Sequence, residues 1–250
     1  MIDMLNLKVS ETRRQMGQAA ASDIATRISQ LLKEKEEISI IFAAAPSQLE
    51  LYEALIRADI DWSRVNAFHM DEYVGLDEKS PQSFRRYLKD HFFDQLRFRT
   101  THLIQGEADD LTAECVRYGH LLDEYKPDLV CLGVGENCHL AFNDPPVADF
   151  HDPVKIKKVR LDEVCRQQQV NDGCFATLEA VPREALTLTI PALFEASYLY
   201  CVVPGRSKAN AVKCTLEEPI DERYPSTILR LHPQAILYLD CDSASLITNS

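Results

Sequence analysis

The stretch DLVCLGVGENCHLAFNDP, Asp128 to Pro145, decides the fold. Its apolar opening is typical of a strand that is buried on both faces of a parallel sheet. Glycines on both sides of Val134 suit a tight turn from that strand into a loop. The loop places His139 among the polar side chains of Glu136, Asn137 and Asp144. We therefore expect a buried strand whose carboxyl end presents an imidazole.

The same alternation of apolar runs and amphipathic segments continues through the chain. Apolar runs predict further strands at 38–45, 65–70, 154–161, 198–203 and 235–239. Apolar residues at helical spacing predict helices at 11–37, from 47, from 80, at 111–125, from 162 and from 207. The helix from 80 is expected to have Ser80 as its N-cap and Pro81 in its first turn. Strands that alternate with helices indicate an α/β, Rossmann-like fold, a mainly parallel sheet flanked by helices on both faces.

Length and charge limit the class of protein. The chain has 250 residues, of which 46% are hydrophobic, and this predicts one domain over residues 1–250. The formal net charge of −12 argues against nucleic acid as a partner, because a phosphate backbone needs a basic surface. A phosphorylated small molecule is still allowed, since a pocket needs only a few donors. The N-terminus lacks a signal-peptide pattern and no apolar run approaches ~18 residues, so we expect a cytoplasmic protein without a membrane partner.

The eight cysteines favour buried reduced thiols over disulfides. The chain is too long for a small disulfide-stapled domain, and residues such as Cys131 and Cys201 stand inside apolar runs. No CxxC pair occurs, so we expect no metal site.

Ligands of such sheets bind at the carboxyl ends of the strands, which selects the turns after Ala45, Met70 and Val134. In the first turn, small residues lead to Ser47, and the helix N-terminus that follows could bind phosphate, although an ordinary turn with a serine N-cap has the same pattern. In the second, Asp71 and Glu72 form an acidic pair that could supply a general base, or be a solvated turn or a helix cap.

The third turn brings a histidine and a carboxylate together. A carboxylate near His139 would orient the imidazole and favour its protonated form. Cys138 stands beside it, but we do not expect a thiol nucleophile, because sequence neighbours rarely point at each other.

These motifs together resemble the glucosamine-6-phosphate deaminase family, within the superfamily that includes the 6-phosphogluconolactonases. The resemblance covers most of the chain in order, through MDEYVGL (70–76), GVGENCHLAFNDP (133–145), ALTLTIPAL (185–193), PGRSKANAV (204–212) and LHP (231–233). It implies conversion of glucosamine 6-phosphate and water into fructose 6-phosphate and ammonia, without a cofactor. A small-molecule sugar phosphate is then the partner, and a homo-oligomer is possible.

The resemblance also implies a role for each matching residue. Asp71 matches the base that moves a proton between C2 and C1, and His139 the residue that opens the sugar ring. Asn137 and Asp144 match acidic residues that orient that histidine. The remaining matches are expected to bind substrate: Ala44, Ala45, Ser47, Glu72, Gly135 and Lys208.

The chain also departs from the family pattern. Asn137 replaces a carboxylate, Cys138 replaces a glycine and would strain the turn if its φ is positive, and Pro46 removes one N–H from the phosphate loop. The arginine of the family's lid has Arg166 as its nearest match. Lys155 and Lys157 match part of an effector site. The alternatives are therefore a related enzyme for another amino-hexose phosphate or a phosphosugar lactone, and a sugar-phosphate sensor without turnover.

Overall fold

The computed structural model describes residues 5–247, which contain two sheets. Numbered along the chain, the strands are β1 (Asn6–Ser10), β2 (Ile38–Phe42), β3 (Val65–His69), β4 (Asp71–Tyr73), β5 (Thr100–His102), β6 (Leu129–Leu132), β7 (Ile156–Arg160), β8 (Glu184–Leu188), β9 (Tyr198–Val203) and β10 (Ala235–Asp240). The central sheet has seven strands in the order β1-β10-β9-β6-β2-β3-β5, and every neighbouring pair in it is parallel. The predicted parallel sheet is therefore confirmed, with β1 and β5 as edge strands that the sequence pattern had not indicated.

Helices cover both faces of this sheet. They are α1 (Arg13–Glu34), α2 (Leu49–Ile56), α3 (Phe84–His91), α4 (Leu111–Tyr125), α5 (Glu163–Asn171), α6 (Ile190–Phe194) and α7 (Ala209–Glu217). Side chains of β2 alternate between the faces: Ile40 and Phe42 pack in the core with α1, α2 and α3, whereas Ile41 packs in the core with α4, α6 and α7. A strand buried on both faces needs apolar residues at every position, which explains its unbroken apolar sequence.

A small antiparallel sheet lies apart from the central one. It has the order β4-β8-β7. The basic strand predicted at 154–161 is β7, so it belongs to this second sheet and not to the parallel one. In β4, Asp71 is paired with Thr187 of β8. This second sheet therefore positions one of the candidate catalytic residues.

The predicted start of the helix at residue 80 was wrong. Helix α3 begins at Phe84, and its N-cap is Ser83, whose side chain accepts a hydrogen bond from the backbone N–H of Arg86. The carboxylate of Glu72 accepts the N–H groups of Phe84 and Arg85 at 3.0 and 2.9 Å. A buried tertiary partner thus satisfies the first turn of α3 and moves the helix start past Pro81.

The sheet order places a topological switch point between β6 and β2. From β2 the chain builds outward through β3, whereas from β6 it builds in the other direction through β9 and β10. Such a crevice at the strand carboxyl ends is where ligands of open α/β sheets bind.

Two further expectations are tested by the structure. All eight cysteines are free thiols in the structure, and four of them are buried as expected, whereas Cys241 is exposed and three others are only partly buried. Within residues 5–247, every helix is too short or too polar to traverse a lipid bilayer.

Candidate active site

A cavity of about 170 Å³ opens at the switch point. Its walls come from the segments that follow four neighbouring strands, β9, β6, β2 and β3. All three turns that the sequence selected contribute to it, and the turn after β9 is the fourth. Seven of the ten predicted site residues line it: Ala44, Ala45, Ser47, Asp71, Gly135, His139 and Lys208.

One end of the cavity offers donors for an anion. After β2, Ala45 adopts an extended backbone and caps a 3-10 turn that spans Pro46–Gln48. The Ser47 hydroxyl accepts a hydrogen bond from the side-chain amide of Gln48 at 3.1 Å. Because that bond uses a lone pair, the Ser47 proton is available for a ligand oxygen.

The side chain of Lys208 is the most strongly buried cation in this wall, with 6% of its surface exposed. Burial lowers its pKa, although the carboxylates of Asp172 and Glu136 act in the opposite direction. Among residues 5–247, no carboxylate lies within ion-pair distance of its ammonium group. A buried cation without a paired anion is costly, so this position favours an anionic ligand.

Arg13 is a lining residue that the sequence analysis missed. It stands at the first position of α1, and its Nη2 donates to the carbonyl oxygen of Pro46 at 2.6 Å. Its Nε forms an ion pair with Glu50 at 2.6 Å. Since the contact to Pro46 spans 33 residues, no local motif could have revealed it.

The opposite wall carries the carboxylate of Asp71, which is 6% exposed. Burial, and then the negative charge of Glu72, raise its pKa well above the ordinary value of an aspartate. A raised pKa brings a carboxylate closer to the range in which it can accept a proton and return it near neutral pH. Its position on β4 directly after the β3 turn explains this burial.

Glu72, which was expected to bind substrate, is not among the residues that line the cavity. Its side chain faces away from the cavity and forms a buried ion pair with Arg85, from Nε to Oε2 at 3.1 Å. It also accepts the backbone N–H groups that begin α3. Burial raises its pKa, while these hydrogen bonds and Arg85 oppose that shift. Glu72 therefore holds the start of α3 and lies outside the cavity lining.

His139 is oriented by two polar side chains behind the cavity wall. Its Nδ1 lies 2.7 Å from Oδ1 of Asn137 and 3.0 Å from Oδ1 of Asp144. Both of these oxygens are acceptors, so Nδ1 carries a hydrogen and Nε2 is left to accept a proton. Asn137 and Asp144 do not line the cavity themselves and lie behind the imidazole that does.

The two positioning residues are themselves fixed. Nδ2 of Asn137 donates to Oδ1 of Asp144 at 3.0 Å, and the N–H of Asp162 donates to Oδ2 of Asp144 at 3.0 Å. Burial acts to raise the pKa of Asp144, but the contacts with His139, Asn137 and Asp162 outweigh it and lower that pKa. Asp144 is therefore held as a carboxylate beside the imidazole.

Gly135 has a steric reason to be glycine. A Cβ at this position would lie 2.2 Å from Cε1 of His139 and 2.3 Å from both ring nitrogens. The imidazole therefore lies flat against the backbone of residue 135, and any side chain there would displace it.

Cys138 adopts the strained conformation that the sequence suggested. Its φ is 69°, in the left-handed region that favours glycine, and its N–H closes a turn onto the carbonyl of Gly135 at 3.0 Å. Burial raises the pKa of its thiol to about 12. The thiol stays protonated near neutral pH and lies outside the cavity lining, which agrees with the expectation that it is not a nucleophile.

Arg166 does not reach the cavity, contrary to its match with the family's lid arginine. Its Nη2 donates to the carbonyl oxygens of Leu178 and Val181, the latter at 3.0 Å, and it thereby ties α5 to the segment that follows. Gln168, Gln169 and Asp172 are the side chains of this region that line the cavity.

The two lysines matched to an effector site are engaged in ion pairs. Lys155 pairs with Asp123 and Glu195, and Lys157 with Asp152. Lys157 lies on β7 and Lys155 directly precedes that strand, both away from the cavity lining, and regulation at this place stays a prediction.

Comparisons with known proteins find relatives over most of the chain. The family model described as glucosamine-6-phosphate isomerases/6-phosphogluconolactonase matches residues 11–237. A glucosamine-6-phosphate deaminase of Exiguobacterium sp. strain AT1b is 34% identical over 98% of this chain and 93% of its own length. One of Listeria monocytogenes serovar 1/2a is also 34% identical, over 84% of this chain and 88% of its own.

Solved structures show the same relationship. A monomeric glucosamine-6-phosphate deaminase has a TM-score of 0.89 at 31% identity, over 96% of this chain and 99% of that one. A 6-phosphogluconolactonase from Thermotoga maritima has a TM-score of 0.77 at 19% identity, over 94% of this chain and 99% of that one. The second similarity concerns the fold alone.

Proposed function

Because the chain belongs to the glucosamine-6-phosphate isomerase/6-phosphogluconolactonase family, we propose that it is an enzyme that converts glucosamine 6-phosphate and water into fructose 6-phosphate and ammonia. The observation that carries the proposal is the pair of buried charges that face one cavity. Lys208 has no carboxylate partner within the described chain, and Asp71 has a raised pKa on the opposite wall. An anionic sugar phosphate would pair with the ammonium group of Lys208 and place its reacting carbons beside the carboxylate of Asp71.

The phosphate would bind between the turns that follow β2 and β9. Ser47 supplies a hydroxyl, Lys208 an ammonium group, and Arg13 a guanidinium group. The backbone N–H of Ser47 adds one donor, because Pro46 has no N–H and that of Gln48 bonds to the carbonyl oxygen of Ala45 at 2.9 Å. Binding energy from this non-reacting end would position C1 and C2 at the other end.

The reaction would begin with the sugar ring. A closed hemiacetal cannot isomerise, so the anomeric hydroxyl proton must be removed and the ring oxygen protonated. Nε2 of His139 is the ring atom able to accept that proton and return it, because Nδ1 is held in its donor form. The result is the open-chain amino aldehyde.

Asp71 would then isomerise the open chain. Its carboxylate takes the proton from C2, which gives an enolamine, and returns a proton to C1, which gives a ketimine. Water adds to the ketimine carbon, ammonia leaves, and fructose 6-phosphate remains. Each acid–base step of this kind gives about 10²–10⁴-fold.

An ammonia-release assay with glucosamine 6-phosphate tests the proposal. Native protein should release one ammonia per fructose 6-phosphate, and Lys208→Met should raise KM strongly. Lys213→Met is the matched control, because Lys213 is a half-exposed lysine on α7, the helix that Lys208 caps, and lies 3.9 Å from Glu217.

The same assay separates the alternatives. Turnover of galactosamine or mannosamine 6-phosphate, or of a phosphosugar lactone, in place of glucosamine 6-phosphate would assign another substrate. Tight binding of all these sugars with turnover of none would indicate a sensor.

A further inference from the structure

We propose that His139, Asp144 and Cys165 form a binding site for one thiophilic divalent cation of the zinc class, and that occupation of this site switches the imidazole off. One ring nitrogen of His139, a carboxylate oxygen of Asp144 and Sγ of Cys165 all lie within 4.8 Å of one another. We assign Nδ1 as the nitrogen ligand, because it lies 3.0 Å from Oδ1 of Asp144. Within the described chain, they are the one such group of histidine, cysteine and carboxylate side chains.

The spacing suits a tetrahedral ion. Zinc bonds to nitrogen, oxygen and sulfur are about 2.0–2.3 Å long, which places ligand atoms about 3.3–3.8 Å apart. The Nδ1 of His139 and Oδ1 of Asp144 are 3.0 Å apart and all three donors lie within 4.8 Å, so shifts of about 1 Å would bring them into coordination. Three protein ligands leave a fourth position for water, and His139 connects the cluster to the open cavity, which gives the ion a path.

The charge balance also suits a buried ion. Asp144 and Cys165 are 0% and 1% exposed. A carboxylate and a thiolate together neutralise a divalent cation, so the occupied site carries no net charge inside the protein. The set of one sulfur, one imidazole nitrogen and one carboxylate oxygen favours zinc and cadmium over magnesium or calcium.

A surrounding shell already orients these ligands. Asn137 donates to Asp144 at 3.0 Å, and the N–H of Asp162 donates to the other oxygen of that carboxylate at 3.0 Å. Both hydrogen bonds can persist when the ion binds, and outer contacts of this kind strengthen metal sites.

Occupation would change the tautomer of His139. The Cys165 thiol releases its proton to solvent, and the Nδ1 proton of the neutral imidazole moves to Nε2 when the metal takes its place. Nε2 then carries a hydrogen and can no longer accept one. Affinity should rise with pH, because one proton is released for each ion bound. This inhibition rests on the proposed function, whereas the binding itself does not.

Cadmium titration of the metal-free whole chain tests the binding without any substrate. We expect one ion per chain, with an ultraviolet thiolate-to-cadmium absorption band, and reversal by EDTA. Cys165→Ser keeps a hydroxyl beside Asp144 but removes the soft ligand, and it should weaken this binding by at least about 10–100-fold. Cys174→Ser is the matched control, because Cys174 follows α5 and lies outside the cluster.

Activity gives the second readout. Zinc should inhibit ammonia release by the native chain and by Cys174→Ser, while Cys165→Ser should stay active in zinc. Equal metal binding by Cys165→Ser and the native chain would overturn the site. Stoichiometric binding with unaltered turnover would overturn the switch. Thermal unfolding of each variant shows whether a loss of metal binding is only a loss of fold. Mass-spectrometric mapping of metal-protected thiols in the native chain then shows independently whether Cys165 is a ligand.

Discussion

Asp71 and Thr187 face each other across the ladder between β4 and β8, and the Thr187 hydroxyl accepts the backbone N–H of Phe142 at 3.0 Å. One side chain of the small sheet thus connects the candidate base to the loop that carries His139. The relative placement of the two reacting groups depends on this contact.

Replacement of Thr187 should therefore affect turnover more than substrate binding. Thr187→Val leaves the buried N–H of Phe142 without an acceptor, which costs about 1–3 kcal/mol of folding free energy. We expect kcat to fall by about tenfold or more with KM nearly unchanged, because misplacement of reacting groups is costly. Thr187→Ser keeps the hydroxyl and should retain activity. Steady-state kinetics of the two variants checks this, and equal rates for both would contradict it.

Asp71→Asn should abolish ammonia release and stabilise the fold. The pKa of Asp71 is raised in the folded state, so ionisation of this buried carboxylate destabilises the protein as pH rises through the folded pKa. The amide removes that penalty, and the gain in Tm over the native chain should grow from acidic to neutral pH. Each 1 kcal/mol gained would raise Tm by about 2–4 °C. Calorimetry at several pH values measures this difference in Tm. A gain that shrinks with rising pH would contradict the prediction.

Gly135→Ala should inactivate the protein without unfolding it. The added methyl group would occupy the space of the His139 ring, so the imidazole must move away from its position beside Asp144. A displacement of about 1 Å can cost about 10²-fold in rate. Gly119→Ala is the control, because nothing lies within 4 Å of a Cβ there and alanine favours helix α4. Activity assays and circular dichroism compare the two variants. A fully active Gly135→Ala would show that activity does not depend on this position of the His139 imidazole.

Arg13→Gln should weaken substrate binding. A guanidinium contact to phosphate contributes about 1.5–3 kcal/mol, so KM should rise by about 10–100-fold while kcat changes less. Inorganic phosphate should also lose potency as a competitive inhibitor. Arg14→Gln, a change at the exposed neighbour on α1, provides the control. Equal kinetics for the two variants would place Arg13 in a purely structural role with Glu50.

Cys138→Ala should keep activity near that of the native protein. The Cys138 thiol is protonated near neutral pH, since burial raises its pKa to about 12. Alanine retains the Cβ and therefore the same left-handed backbone at residue 138. Ammonia release within about twofold of the native rate is expected from a side chain outside the acid–base steps. Complete loss of ammonia release would instead indicate that the Cys138 thiol is a nucleophile.

Much of the fold followed from the sequence because apolar periodicity reports directly on burial. Helix α4 spans the predicted residues, and β9 does as well. The carboxyl-end rule selected the right turns because parallel strands bring their ends together whatever the loops contain. Edge strand β1 was not predicted, because its side chains are partly or wholly exposed and form no buried apolar run.

The errors concern tertiary partners. Glu72 follows Asp71 directly, yet the alternation of strand side chains points them in opposite directions, and Arg85 captures the second one. Arg166 found backbone carbonyls of the next segment instead of the cavity. The bounds of the domain, cytoplasmic residence and a homo-oligomer stay predictions, and the outermost residues of the domain lie beyond the described range.

The two sheets contribute different groups to the cavity. The turns proposed to bind phosphate extend from the large parallel sheet, whereas Asp71 belongs to the small antiparallel one, which is linked to the His139 loop through Thr187. Affinity for charged sugars and speed of proton transfer are therefore separately adjustable. Laboratory evolution for growth in the cold should therefore select substitutions that make the small sheet more flexible. Such substitutions would accelerate catalysis and leave the affinity for the ligand unchanged.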